Sequence, residues 1–142
     1  MKPPKFSIII PARNEERFLG ACLHSIRVAA EHYQDQVEVI VVLNRCTDKT
    51  EEIAHSFGAR TVREDTKNLA AIRNAGARSA LGDILVTIDA DSTMSPNTLV
   101  AIDRALTGGA TIGGGTPIRP DRSSLGIKVT MWLFSTWMLI GR

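Results

Sequence analysis

At 142 residues, with 44% apolar and 23% charged side chains, the chain holds enough material for one domain with a genuine core. A formal net charge of +2, with no block of lysines or arginines, gives no electrostatic case for a nucleic-acid partner. Two cysteines, Cys22 and Cys46, lack metal-ligand or redox spacing, so buried reduced thiols in a cytoplasmic compartment are expected.

No signal-peptide pattern precedes Phe6-Ser7-Ile8-Ile9-Ile10-Pro11, an apolar first strand stopped by proline. A helix is predicted from Asn14 as N-cap, with Glu15 and Glu16 in its first turn. Phe18, Leu19, Cys22, Leu23 and Ile26 form its inward stripe, leaving His24 and His32 on the surface. Val37 to Leu43 reads as the second strand. Thr47 or Asn44 then opens a helix with Ile53, Ala54 and Phe57 facing inward and Gly58 as its stop. Arg60 to Arg63 is a short strand.

Asn68 to Leu81 is a helix of small residues (Ala70, Ala71, Ala75, Gly76, Ala77, Ala80), and close packing on a sheet is reason enough for them. Asp83 to Asp91 starts as a β-branched run suited to a strand buried on both faces and ends in Asp89-Ala90-Asp91. Strand alternation would send both carboxylates to one side. Ser95-Pro96 starts another helix, with Val100, Ile102 and Leu106 as its apolar positions, which Gly108-Gly109 stops. Ala110 to Ile112 is a last strand-like piece before Gly113-Gly114-Gly115. Val129 to Ile140 is apolar but shorter than the roughly 20 residues that span a bilayer. A helix packed on its own domain or on a second subunit is preferred there to a peripheral membrane contact, which Trp132 and Trp137 would suit.

Strands and helices alternate throughout, so the fold class is α/β: an open, mostly parallel sheet with helices on both faces. Ligands of such sheets bind outside the carboxyl ends of the strands. Pro11-Ala12-Arg13-Asn14, Asn44-Arg45-Cys46-Thr47-Asp48 and Asp89-Ala90-Asp91 all fall at that edge. No dinucleotide fingerprint, P-loop, nucleophile elbow or His-Glu-x-x-His sequence occurs. What remains is a phosphate site assisted by a divalent cation, Mn²⁺ or Mg²⁺, resting on one or two carboxylates with a diphosphate completing its shell. Lys67 and Arg73 flank the small-residue helix and add positive charge.

Four blocks in order resemble family 2 glycosyltransferases over roughly residues 5 to 105: Ser7 to Glu16, Val41 to Thr50, Asn68 to Gly76, and Gly82-Asp83-Ile84 leading to Asp89-Ala90-Asp91. The resemblance implies a GT-A fold, Rossmann-like, that binds a nucleotide-diphosphate sugar through a divalent cation and transfers the sugar with inversion to an acceptor hydroxyl. By position, Pro11, Ala12, Arg13 and Glu15 line the nucleoside pocket, and Lys67 and Arg73 contact the nucleotide. Asp89 and Ala90 lie near the ribose and metal, and Asp91 is the firmer metal ligand. The family often carries Asp-Asp-Gly-Ser after strand two, where an acidic residue contacts the base. Leu43-Asn44-Arg45-Cys46 stands there instead. Asn44 can offer an acceptor and donors to a base edge, and the choice of base stays open.

The chain reads as a single donor-binding domain, 1–142, with 125–142 as a packing or interface segment that could serve a homodimer or a peripheral membrane contact. The family's acceptor-binding half is not recognised, and neither Asp103 nor Asp121 is assigned as the general base. A non-catalytic nucleotide-sugar-binding or assembly domain is therefore the alternative. A sugar nucleotidyltransferase should show a glycine-rich, Arg-containing loop after strand one, which Pro11-Ala12-Arg13-Asn14 is not.

Overall fold

The computed structural model describes residues 3–107, 109, 111–116, 120, 127, 129 and 130. Two compact units divide the chain, Met1–Gly108 and Gly109–Arg142.

In the first unit β1 (Phe6–Ala12) runs through the middle of a parallel sheet. It pairs on one side with β2 (Val37–Leu43), from Phe6 against Val37 to Ala12 against Leu43. On its other side lies β4 (Ile84–Thr87), with Phe6 opposite Ile84. The short β3 (Arg60–Arg63) extends the far side of β2, giving the order β3-β2-β1-β4. Because strand side chains alternate, β1 and β2 feed two cores. Phe6, Ile8, Ile10, Ala12, Val41 and Leu43 meet α1 (Leu19–Ala29), α2 (Thr50–Ser56) and α4 (Thr98–Thr107) through Leu19, Cys22, Ile26, Ala54 and Leu99. Ile9, Ile40 and Val42 meet Ile72 and Ala75 of α3 (Leu69–Ser79) on the opposite face. Helices therefore cover both faces, as the alternation predicts.

The small residues of α3 act through packing. A Cβ on Gly76 would lie 2.5 Å from Ile9 Cγ2 and 2.9 Å from Val42 Cγ2, so only glycine lets the helix sit this close. Gly82 has the same role at the turn into β4, where a Cβ would meet the Phe6–Ser7 backbone at 2.8–2.9 Å.

Several expectations need correction. Asn14 does not cap α1: it holds a left-handed φ of 56°, and the helix starts at Leu19 with Phe18 as cap. Phe18 (50% exposed) and Phe57 (41% exposed) leave their inward stripes, each lying near an arginine, Arg17 and Arg27. Neither Thr47 nor Asn44 caps α2, whose flanking residue is Lys49; Gly58 closes it with φ 74° as expected. Helix α3 ends at Ser79, before Leu81. Helix α4 starts at Thr98, two residues past Pro96, and buries Leu99. Strand β4 is not buried on both faces: it is an edge strand among the described residues, with alternate residues exposed and Leu85 52% open. A short apolar run cannot by itself separate a central strand from an edge strand.

In the second unit, Thr111 and Ile112 form no strand, and Ile127, Val129 and Thr130 are helical. Ala110, Asp121 and residues 131–140 lie outside the described residues. No helix among the described residues is long and apolar enough to cross a membrane.

Candidate active site

Outside the carboxyl ends of β1, β2 and β4 lies a cleft of about 580 Å³. It is lined by Pro11, Ala12, Arg13 and Glu15 after β1, by Asn44 and Arg45 after β2, and by Asp89, Ala90 and Asp91 after β4. Lys67 and the start of α3 (Asn68, Leu69, Ile72) complete it. All the sequence-predicted site residues except Arg73 line this cleft, and Arg73 reaches it by donating from Nη2 to Asp89 Oδ1 at 2.7 Å.

The loops after β1 and β2 are laced together. Asn14 Oδ1 accepts from the Thr47 N–H at 2.8 Å, which explains its special backbone conformation better than a cap would. The Glu15 N–H donates to Thr50 Oγ1 at 2.8 Å, and the Glu16 N–H donates to Asp48 Oδ2 at 3.0 Å. Asp48 also accepts from the Thr50 N–H at 3.0 Å. Against the pull of burial, the Thr50 hydroxyl, donating to Oδ1 at 2.5 Å, and these N–H donors hold its carboxyl below the usual range. Glu15 goes the other way: burial first, then the charges of Asp91 and Asp48, raise it.

Asn44 is 3% exposed and its amide is committed to the protein. Nδ2 donates to the carbonyls of Glu64 (2.5 Å) and Thr66 (2.9 Å), fastening the β3–α3 connection to the end of β2. Oδ1 accepts from Arg45 Nε at 3.2 Å and Nη2 at 3.0 Å. Both ends of the Asn44 amide are thus engaged within the protein while the residue lines the cleft. Its partners lie 20 and 22 residues away in the chain, a distance no local motif reports.

The two aspartates are not placed by strand alternation. Strand β4 ends at Thr87, and Asp89-Ala90-Asp91 forms a turn in which the Ser92 N–H donates to the Asp89 carbonyl at 3.0 Å. Ala90 is 2% exposed and belongs to the core, which leaves both flanking carboxylates facing outward. Beneath them Cys22 Sγ lies 3.8 Å from the Asp89 carbonyl oxygen. Burial, followed by the charges of Asp91 and Asp89, pushes its thiol up to about 12, so it stays protonated and unreactive. Both cysteines are free; Cys22 is buried as expected, whereas Cys46 is only partly buried.

Among the described residues no three His, Cys, Asp or Glu side chains converge as a metal cage. A cation of the Mg²⁺ or Mn²⁺ class needs none, since one or two carboxylates with waters and phosphates suffice. Asp91 meets that requirement: its side chain is exposed, and Ser92 Oγ at 3.4 Å is its recorded partner. Asp89 shares its charge with Arg73, whose Nε is buried with no partner among the described residues. The donor set fits such an ion through Asp91 with Asp89 in support. Asp103 is elsewhere, held by Lys5 Nζ (2.7 Å) and the Tyr33 hydroxyl (2.8 Å) beside the start of β1.

Sequence reasoning did not single out Asn68, Leu69, Ile72 or the role of Arg45. Asn68 caps α3, accepting from the Ala70 N–H at 2.9 Å, and an Asn just before a helical run is the signal that could have shown it.

The profile of glycosyl transferase family 2 matches residues 7–133. Over 102 residues the chain is 26% identical to the putative glycosyltransferase EpsH of Bacillus subtilis, covering 68% of this chain and 29% of that protein. Among solved structures, residues 1–349 of Staphylococcus aureus TarS superpose with a TM-score of 0.69 at 22% identity, over 80% of this chain and 38% of that one. Glucosyl-3-phosphoglycerate synthase of Mycobacterium tuberculosis, solved with Mn²⁺, uridine diphosphate and glucosyl-3-phosphoglycerate, superposes with a TM-score of 0.61 at 26% identity. That match covers 72% of this chain and 39% of the other. The chain thus spans less than half the length of each of these proteins.

Proposed function

The chain belongs to glycosyl transferase family 2, and on that premise we propose that it binds a nucleotide-diphosphate sugar in the cleft and serves its transfer, with inversion, to an acceptor hydroxyl. One observation carries the reading. Segments after all four strands, far apart in sequence, bring exposed carboxylates and the cationic groups of Arg13, Arg45 and Lys67 to one cleft at the edge where α/β sheets bind ligands. The related synthase, solved with Mn²⁺ and UDP, supports the same assignment.

In this reading Asp91, with Asp89, holds a divalent cation, Mn²⁺ or Mg²⁺, which when bound neutralises charge on the departing diphosphate. Arg73 fixes the Asp89 carboxylate through its 2.7 Å hydrogen bond and keeps it turned toward the cleft. Lys67 supplies positive charge beside the nucleotide. Pro11, Ala12, Arg13 and Glu15 form the nucleoside wall, made firm by the bonds from Glu15 and Asn14 into the β2–α2 loop. Glu15, raised by burial and by Asp91, becomes easier to ionise once a cation offsets that neighbour. No side chain is assigned as the base for the acceptor hydroxyl. A cytoplasmic location, with residues 129–140 as a self-association or membrane-surface contact, completes the proposal.

The test is calorimetry of UDP and GDP with and without Mn²⁺. The parent should bind at least one of them in a Mn²⁺-dependent manner, and Asp91→Ala should lose that dependence. Equal Mn²⁺-supported binding by Asp91→Ala would remove the metal assignment.

A further inference from the structure

Resting on the reading of the cleft as a nucleotide-sugar site, we propose that Arg45, aimed by Asn44, reads the base and selects nucleotides with a carbonyl at C6 of a purine or C4 of a pyrimidine, guanine or uracil, over adenine and cytosine, which carry an amino group there.

The sheet order sets which end of the cleft holds which part of the ligand. Strand β4 lies on one side of β1 and β2 on the other, so the aspartates and the Asn44–Arg45 corner occupy opposite ends. A nucleotide with its phosphates at the carboxylates extends its base toward Arg45. At that corner Asn44 has nothing left to offer, since its amide is spent on two backbone carbonyls and on Arg45 itself. Arg45 is the cationic side chain that Asn44 anchors at that corner.

The guanidinium is held from behind. Nε and Nη2 both donate to Asn44 Oδ1, while the Arg45 N–H donates to Asp65 Oδ1 at 3.3 Å. Nη1 has no hydrogen-bond partner recorded among the described residues, and the residue lines the cleft half-buried. Its backbone is left-handed, with φ 53°, a conformation that an arginine adopts only at a cost. The structure thus maintains a disfavoured backbone that brings this side chain to the cleft.

Guanidinium groups donate and never accept. The 6-carbonyl and N7 of guanine match the fork with two acceptors, and the 4-carbonyl of uracil offers one. Adenine keeps N7 but replaces the 6-carbonyl with an amino group, and cytosine does the same at position 4; these groups donate and so oppose it. A good pairing of this kind discriminates by roughly 5- to 150-fold.

The experiment measures dissociation constants of GDP, ADP, UDP and CDP with Mn²⁺ for the parent, Arg45→Gly, Arg45→Lys and Lys67→Ala. The parent should bind GDP or UDP at least tenfold tighter than its amino counterpart. Arg45→Gly should bring that ratio to near one while the fold is kept, because the relief of the left-handed backbone offsets the two donors that Asn44 Oδ1 loses. Arg45→Lys should keep part of the ratio, and Lys67→Ala should weaken all four nucleotides alike. A ratio unchanged in Arg45→Gly, or a parent without preference, overturns the proposal and leaves the nucleotide-site reading standing. Failure of the parent to bind any of the four overturns both.

Discussion

Arg73 and Asp89 meet across the gap between α3 and the turn after β4, and their exposures, 37% and 55%, decide what the pair is worth. Half-open ion pairs contribute at most about 1 kcal/mol to stability, because water screens them and two side chains must be ordered. The pair is therefore a poor explanation for holding the fold and a good one for aiming a carboxylate. It also changes the account of the two neighbouring aspartates: an internal cation already balances one of them, so an ion at the site has chiefly Asp91 to satisfy. Arg73→Ala should lower stability by no more than about 1 kcal/mol yet weaken Mn²⁺-dependent nucleotide binding about tenfold, the size expected for losing one charged hydrogen bond. Arg73→Lys, which keeps charge but loses the planar fork, should fall between. Paired thermal melts and titrations measure both quantities. Loss of stability and affinity in proportion would make the pair structural.

At the scale of elements, the α3–β4 turn is fixed through one partly buried carboxylate. Glu38 Oε1 accepts from the Ser7 hydroxyl at 2.6 Å and from the Leu81 N–H at 2.5 Å, while Oε2 accepts from Arg60 at 2.6 Å. Ser7 in turn accepts from the Gly82 N–H at 2.8 Å. Burial alone would raise the carboxyl, but these donors outweigh it and hold it below its ordinary 4.5. As pH falls past 4.5 the unfolded chain takes up the proton first, so stability present at neutral pH drains away as the folded pKa is crossed. Glu38→Gln should cost roughly 1–3 kcal/mol at pH 7 and flatten the acid limb below that value, as denaturant melts across pH would record. On the same helix, Gly76→Ala forces a methyl against Ile9 and Val42. A loss of about 1–3 kcal/mol is expected, with weaker nucleotide binding because α3 carries Leu69, Ile72 and Arg73 to the site. Strands β1 and β2 were legible in sequence because the apolar runs Ile8 to Ile10 and Val39 to Leu43 leave little choice, and β3 from its β-branched pair Thr61-Val62. The helix starts were less so. Asn14 has the chemistry of a cap but finds a long-range partner in Thr47, and the Asp89-Ala90-Asp91 turn is oriented by the burial of Ala90, which no alternation rule contains.

For the whole molecule, the cleft draws on loops from β1, β2 and β4 and on the start of α3, so a ligand filling it joins segments up to about 80 residues apart in sequence. Such a ligand binds only the assembled sheet, and its binding energy adds to folding by RT ln(1 + [L]/Kd). At a hundredfold excess over Kd that is about 2.7 kcal/mol, which for a domain of this size should raise Tm by roughly 5–15 °C. The rise should require nucleotide and Mn²⁺ together, scale with the logarithm of ligand concentration, and be lost in Asp91→Ala. The edge position of β4 makes the result informative about the fold as well. With Leu85 half open and only one strand neighbour among the described residues, β4 is the part of the sheet with least support of its own. A ligand held by the aspartates that follow β4 and by the loops after β1 and β2 would clamp that edge to the centre. Hydrogen exchange should then slow most in β4 amides when nucleotide and Mn²⁺ are added. Protection confined to β1 and β2 would mean that the ligand does not engage the aspartates, and the carboxylate turn would lose its role in the site.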